Sequence, residues 1–295
     1  MVGSGWRWPS NTVRAAADIK EIVESPKITC LRLCFEDVIG FNNFVGSEKV
    51  LALKSFDFAL GKIDLLSPVD RYLFGNFDRS KIVGVGSTGV AGGSLASNLL
   101  LPRNVQGMKI EEVDNVTSLS QFSQPPNEAW ANLEVLCLFR LPNLRAIFDG
   151  VGSIGAYVHL KRLVVGGCNQ MKSLFSLGQL KNLQNLEKLE IWDCALMEDV
   201  VADDGNALTT ISSLPKLGYV RIFDLPELKS IFKTTVTCYS LYFIRCPKLK
   251  KLPFTTRNIS LPTLESICGD REWWDALEWD DPDVKVQLQD RFTVY

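Results

Sequence analysis

A chain of 295 residues, 46% hydrophobic and 22% charged, is long enough to bury a sizeable core and is neither disordered nor fibrous. A net charge of −2 and a pI near 5.6 give no electrostatic reason to bind nucleic acid or an anionic membrane. The eight cysteines are spread along the chain and the single histidine, His159, has no CxxC pair beside it; a disulfide scaffold and a zinc site are both disfavoured, and buried thiols in a reducing compartment fit better.

The first ten residues lack the apolar core of a signal peptide, and no run reaches the roughly 18 apolar residues of a membrane helix. A soluble, intracellular (cytoplasmic) protein is expected. Residues 1–27 form an N-terminal helical or irregular segment, with a helix expected over 12–24, Asn11 or Thr12 capping it and Pro26 just beyond its end. Partial strand patterns follow at Ile28/Leu31/Leu33 and Leu53/Phe56/Phe58. The stretch 60–104 is irregular; it must hold one more turn of structure whose strand the pattern does not place.

Within that stretch Lys81-Ile-Val-Gly84-Val-Gly86-Ser-Thr-Gly89 reads as a strand running into G-x-G-x-x-G, with Glu111 and Glu112 about 22 residues further on. Such spacing suits an NAD(P)-binding oxidoreductase, glycines for the pyrophosphate and a carboxylate for the ribose. Against it, Val105–Leu119 already belongs to another pattern, and no train of alternating strands and helices follows. A glycine-rich loop between coils is the better reading.

That other pattern is a repeat. In the frame L-x-x-L-x-L-x-x-(L/C)-x-x-L-x-x-L, six apolar positions recur in coils starting at Val105, Leu133, Leu160, Leu186, Leu217 and Cys238, and more weakly at Leu264. In the third of these coils they are Leu160, Leu163, Val165, Cys168, Met171 and Leu174; in the fourth, Leu186, Leu189, Ile191, Cys194, Met197 and Val200. Starts are spaced by 21 to 31 residues, with an acidic insertion around Asp203–Asn206. A period near 25 residues marks a leucine-rich-repeat solenoid, because one coil cannot bury its own apolar face and must stack on its neighbours. The fold expected is therefore α/β: a parallel sheet along the concave face, loops or short helices on the convex face. Ser176–Asn185, with leucines three apart, is one such helix. The solenoid spans 28–263, regular from 105, and 264–295 closes it, with Trp273, Trp274 and Trp279 covering the last coil.

In a strand, alternate side chains face opposite ways. The fourth and sixth frame residues point inward, so the fifth and seventh face the open side. Those positions carry Glu190, Arg221 and Tyr242, and Phe139, Trp192 and Phe223; Arg140 and Arg245 follow at the eighth. Exposed aromatics among arginines have the composition of interaction hot spots. Nucleophilic, metal and acid–base catalysis all lack a supporting cluster; no enzyme, cofactor or metal site is expected.

Leu141-Pro-Asn-Leu144, Leu225-Pro-Glu-Leu-Lys-Ser-Ile-Phe232 and Ile244-Arg-Cys-Pro-Lys-Leu-Lys-Lys-Leu252 resemble the repeats of plant nucleotide-binding leucine-rich-repeat (NLR) disease resistance proteins of the coiled-coil class. The ending Leu264-Glu-Ser-Ile-Cys-Gly269, Trp273-Trp274 and Leu277-Glu-Trp-Asp-Asp281 is similar to the terminal segment of those receptors. The resemblance covers roughly residues 20–295. It implies a sensor and autoinhibitory module in plant immunity, whose partners are pathogen-derived or host proteins or a receptor's nucleotide-binding domain. No G-x-x-x-x-G-K-(S/T) loop is present, so the nucleotide switch of the family is expected to lie outside this chain or to have been lost. A free-standing repeat adaptor, such as a ubiquitin-ligase substrate receptor, is the alternative; residues 1–27 are too short for its helical docking segment.

Overall fold

The computed structural model describes residues 29–63, 65, 72–74, 81–87, 99–122, 130–147, 157–203, 214–232, 238–252, 254 and 264–295. The helix expected over 12–24, Gly89 and most of the acidic insertion lie outside them.

The chain begins with strand β1 (Cys30–Phe35), helices α1 (Val38–Val45) and α2 (Glu48–Ala52), and strands β2 (Ser55–Leu60), β3 (Lys81–Val85) and β4 (Gly107–Glu111). The regular coils contribute β5 (Val135–Phe139), β6 (Arg162–Gly166), β7 (Ser173–Ser176), β8 (Lys188–Trp192), β9 (Asp199–Ala202), β10 (Tyr219–Phe223), β11 (Ser240–Ile244) and β12 (Ser266–Gly269). Helices α3 (Arg271–Asp275) and α4 (Pro282–Gln289) and strand β13 (Phe292–Val294) end it. Eleven strands form one parallel sheet in the order β1-β2-β3-β4-β5-β6-β8-β10-β11-β12-β13, and β7 pairs with β9 in a second, two-stranded sheet.

The apolar frame explains this order. Leu136, Leu163, Leu189, Val220 and Leu241 are successive Cα partners across the sheet, as are Leu138, Val165, Ile191, Ile222 and Phe243. None is more than 2% exposed. These rows, with the later apolar positions of each coil, make one continuous core from Leu33 to Leu288. Cys168, Cys194 and Cys246 turn inward at the ninth position, as do Leu141 and Leu225. Burial pushes the Cys168 thiol up to about 11 and the Cys194 and Cys246 thiols up to about 12. They are packing groups.

Upstream, the register differs from the sequence reading by two residues. Val83 pairs with Met108 and Phe58 with Val83, so Phe58/Leu60 and Leu33/Phe35 hold the inward positions expected of Phe56/Phe58 and Leu31/Leu33. The strand missing from 60–104 is β3. Ser176 opens a six-residue 3-10 helix, Leu177–Asn182, where a short helix was expected, with a capping box to Gln179.

At the C-terminal end Trp274 is fully buried, stacked on Phe292 at 4.3 Å and edge-on to Trp279 at 5.4 Å. The Trp273 indole N–H donates to the Leu249 carbonyl at 3.0 Å. Trp273 and Trp274 are thus buried at this end, with Trp279 packed against them. No described helix is long and apolar enough to cross a membrane.

Candidate functional site

Three rows of side chains face away from the core, and register assigns their members. The central row runs Lys109, Cys137, Val164, Glu190, Arg221, Tyr242; the row beside it runs Glu111, Phe139, Gly166, Trp192, Phe223, Ile244. The third includes Gly107, Val135, Arg162 and Tyr219.

The N-terminal part of this face is already occupied. Residues between β2 and β3 cross it: Leu73, 4% exposed, packs in one cluster with Cys137, Phe139 and Val164, joined by Phe74, Val135 and Trp192. Ile63, Leu65 and Phe74 cluster with Ala59 and Ile82. The crossing is possible because the sheet offers glycines beneath it. A Cβ on Gly84 would stand 2.6 Å from the Leu65 side chain, one on Gly86 2.3 Å from the Lys62 carbonyl oxygen, and one on Gly107 2.9 Å from the Phe74 ring. Gly84 and Gly86 are thus seats for this cover. The space directly above Gly84 and Gly86, which a dinucleotide approaching their backbone would enter, is filled by Lys62, Ile63 and Leu65. Glu111 and Glu112, the prospective ribose carboxylates, are instead ion-paired with Arg140.

Arg162 ties the cover down. Its Nη1 donates to the Tyr72 carbonyl at 2.9 Å, its guanidinium lies 4.4 Å from the Tyr72 ring centre, and its Nη2 donates to Glu190 Oε1 at 2.6 Å. Burial pulls the Arg162 pKa down, and the Glu190 hydrogen bond and charge outweigh it, so the group stays a cation. Arg221 reaches the second Glu190 oxygen at 3.7 Å and lies over the rings of Phe223 and Tyr242 at 4.8 and 5.6 Å. The result is an Arg–Glu–Arg relay running from the covered part of the face into the uncovered part.

Eight residues were expected on the open face, and the structure divides them. Trp192, Arg221, Phe223 and Tyr242 are there, each partly exposed. Phe139 and Glu190 occupy the face in register but are covered, at 7% and 3% exposure. Trp192 leans over Gly166 to stack on Phe139 at 5.4 Å, and Leu73 closes the other approach; Glu190 is enclosed by its two arginines. Arg140 and Arg245 stand beyond the strand ends in left-handed backbone, φ 49° and 53°. That conformation recurs at the eighth position of every regular coil, in Glu112, Gly167, Asp193 and Asp224 too, and sets a border of charged side chains along one margin of the face. There Arg140 pairs with Glu111 and Glu112, and Arg245 with Asp224.

The cover, Arg162 and the border were missed from sequence. The available signal was glycine: Gly84, Gly107 and Gly166 sit at outward positions, where absent side chains mark something lying on the sheet.

A profile described as plant disease resistance protein RPS2-like, leucine-rich repeats, matches residues 103–195 and 143–267, together more than half of the chain. The chain belongs to this family. The chain is 29% identical over 138 residues to the probable disease resistance protein At1g12290 of Arabidopsis thaliana, covering 45% of this chain and 15% of that protein. It is 32% identical over 151 residues to the probable disease resistance protein At4g27220 of the same plant, covering 49% and 16%. Disease resistance protein RPS5, also of Arabidopsis thaliana, is 28% identical over 138 residues, 45% and 15%. The RPS2-like chain thus matches only a small fraction of the length of each relative.

Proposed function

We propose that this RPS2-like repeat region is a protein-recognition module of plant immunity that works in the cytoplasm. It engages a pathogen-derived or host protein, or the nucleotide-binding domain of an immune receptor, through its concave face and performs no catalysis. In this reading 28–263 is the recognition solenoid and 264–295 its cap.

One observation carries the reading. The chain covers the concave face over β3 to β6 with its own residues and leaves Trp192, Arg221, Phe223 and Tyr242 uncovered in adjacent strands beyond. Aromatic rings beside a guanidinium already held by ring faces and Glu190 present large contact area with little rotamer freedom left to lose on binding. Such a surface suits a folded protein partner.

The test is isothermal titration of the full chain with a purified nucleotide-binding domain from an RPS2-like disease resistance protein, and in parallel with candidate pathogen and host proteins. Arg221→Glu and Phe223→Ala should weaken whichever association is found by tenfold or more while leaving far-UV circular dichroism unchanged. Undiminished affinity in both folded variants would place the binding surface elsewhere.

A further inference from the structure

Two consecutive glycines interrupt the face and its border at the same coil. Gly166 ends β6 and Gly167 takes the left-handed turn after it, at φ 69°. The Trp192 indole lies over Gly166, and beside the two glycines is a notch of about 310 Å³ lined also by Lys109, Glu111, Phe139, Arg140, Trp192 and Asp193. We propose that this notch is a binding site for an arginine side chain presented by a protein ligand.

The charges point to one cation. Lys109 and Arg140 line the notch with Glu111 and Asp193; both cations pair with Glu111, and Arg140 pairs also with Glu112 just outside the notch, so Lys109, Arg140, Glu111 and Glu112 are joined in ion pairs. Asp193 is the carboxylate left over; its side chain is exposed and has no partner among the described residues. Elsewhere along the border the carboxylates of neighbouring coils are matched, Glu112 by Arg140 and Asp224 by Arg245. Opposite Asp193, one strand spacing of about 4.8 Å away, stands Gly167. The border lacks a cation at that position, and the notch is the space it would fill.

The walls select a guanidinium. Trp192, half-buried and held flat by stacking on Phe139 at 5.4 Å with an interplanar angle of 28°, offers apolar ring surface to the stem and to the planar head group. A guanidinium forks onto a carboxylate with two parallel N–H groups, which an ammonium cannot do. The Trp192 indole nitrogen lies over Gly166 and has no acceptor among the described residues; a peptide carbonyl of the same ligand residue meets that need. The site rests on the proposal that the concave face binds protein, and names one contact within it.

The experiment titrates the full ¹⁵N-labelled chain with N-acetyl-arginine N-methylamide and, as control, the norleucine analogue, following the Trp192 indole N–H resonance assigned by its absence in Trp192→Phe. The arginine compound should move that resonance saturably and the norleucine compound should not. Asp193→Asn should weaken the response at least tenfold. Gly167→Arg should abolish it by supplying the missing cation, since Arg140 and Arg245 already hold the same backbone conformation at equivalent positions. Equal responses to both compounds, no response, or an unchanged titration in Asp193→Asn would each overturn the site. Arg221 does not line the notch, so Arg221→Glu should leave this titration intact. Loss of protein binding in Arg221→Glu with no arginine response in the parent chain would sink the notch alone.

Discussion

Glu190→Ala should cost about 3–5 kcal/mol, the range for removing one partner of a buried ion pair. The magnitude follows from where the charges lie. The Arg162 and Glu190 side chains are 10% and 5% exposed, far from the regime in which a surface pair is worth less than about 1 kcal/mol. Without Glu190 the Arg162 guanidinium keeps only the Tyr72 and Leu73 carbonyls, and its Nε already has no acceptor. Replacing both charges, as in Arg162→Leu with Glu190→Leu, removes the stranded ion and adds apolar surface beside Leu73 and Val164; this pair should fall within about 1–2 kcal/mol of the parent. Urea denaturation of the parent, Arg162→Leu, Glu190→Leu and their combination by tryptophan fluorescence closes the double-mutant cycle, Glu190→Ala is measured beside them, and hydrogen exchange at β6 and β8 locates the loss. A cost below about 1 kcal/mol for Glu190→Ala, or a double variant no more stable than the single one, would refute the description of this pair as buried and coupled.

Ile191→Asp places a charge without a partner at a position of 0% exposure; it should cost more than about 4 kcal/mol and abolish the cooperative thermal transition seen by circular dichroism. Gly86→Ala drives a Cβ to 2.3 Å from the Lys62 carbonyl oxygen, backbone that cannot swing aside. It should cost about 1–3 kcal/mol and speed exchange of the Lys62 and Gly86 amides, while Gly40→Ala, with nothing nearer than 3.6 Å, should not. The buried thiols give a pH dependence. Cys168, Cys194, Cys238 and Cys246 are held at about 11 to 12 against an ordinary 9.0, so they ionise in the unfolded chain first, and denaturation midpoints should fall as pH rises from about 9 toward 12. Iodoacetamide at pH 8 should label the exposed Cys30 and Cys34 and spare those four, as read by mass spectrometry.

The coils from Val105 onward were legible in correct register because their six apolar positions are spaced unevenly, and only one alignment satisfies all of them. β1 and β2 carry apolar residues at every second position, Leu31/Leu33/Phe35 and Phe56/Phe58/Leu60. Period two tells which face is buried and nothing about a slip of two residues. Helix α1, set by the Asp37 cap on the Gly40 amide and by Phe41 and Phe44 packing on Phe35, carries no repeat pattern and was not read. The candidate face was half legible for a different reason. Which way Phe139 and Glu190 point is local information; what lies on them is not, since Arg162 and Tyr72 are separated by 90 positions. The glycines of β3 were visible but carried two meanings, phosphate loop or seat for another segment, and only the covering side chains choose between them.

Apart from Asp193, the border at the strand ends cancels itself over short distances, Glu112 against Arg140 and Asp224 against Arg245. With the whole chain at −2, little potential reaches past the roughly 8 Å over which physiological salt damps a charge. A protein partner of the kind proposed would therefore meet this margin by unassisted diffusion, and its capture rate should change little with ionic strength. Discrimination is left to the lifetime of the complex, where shape and ring contact act and long-range attraction does not.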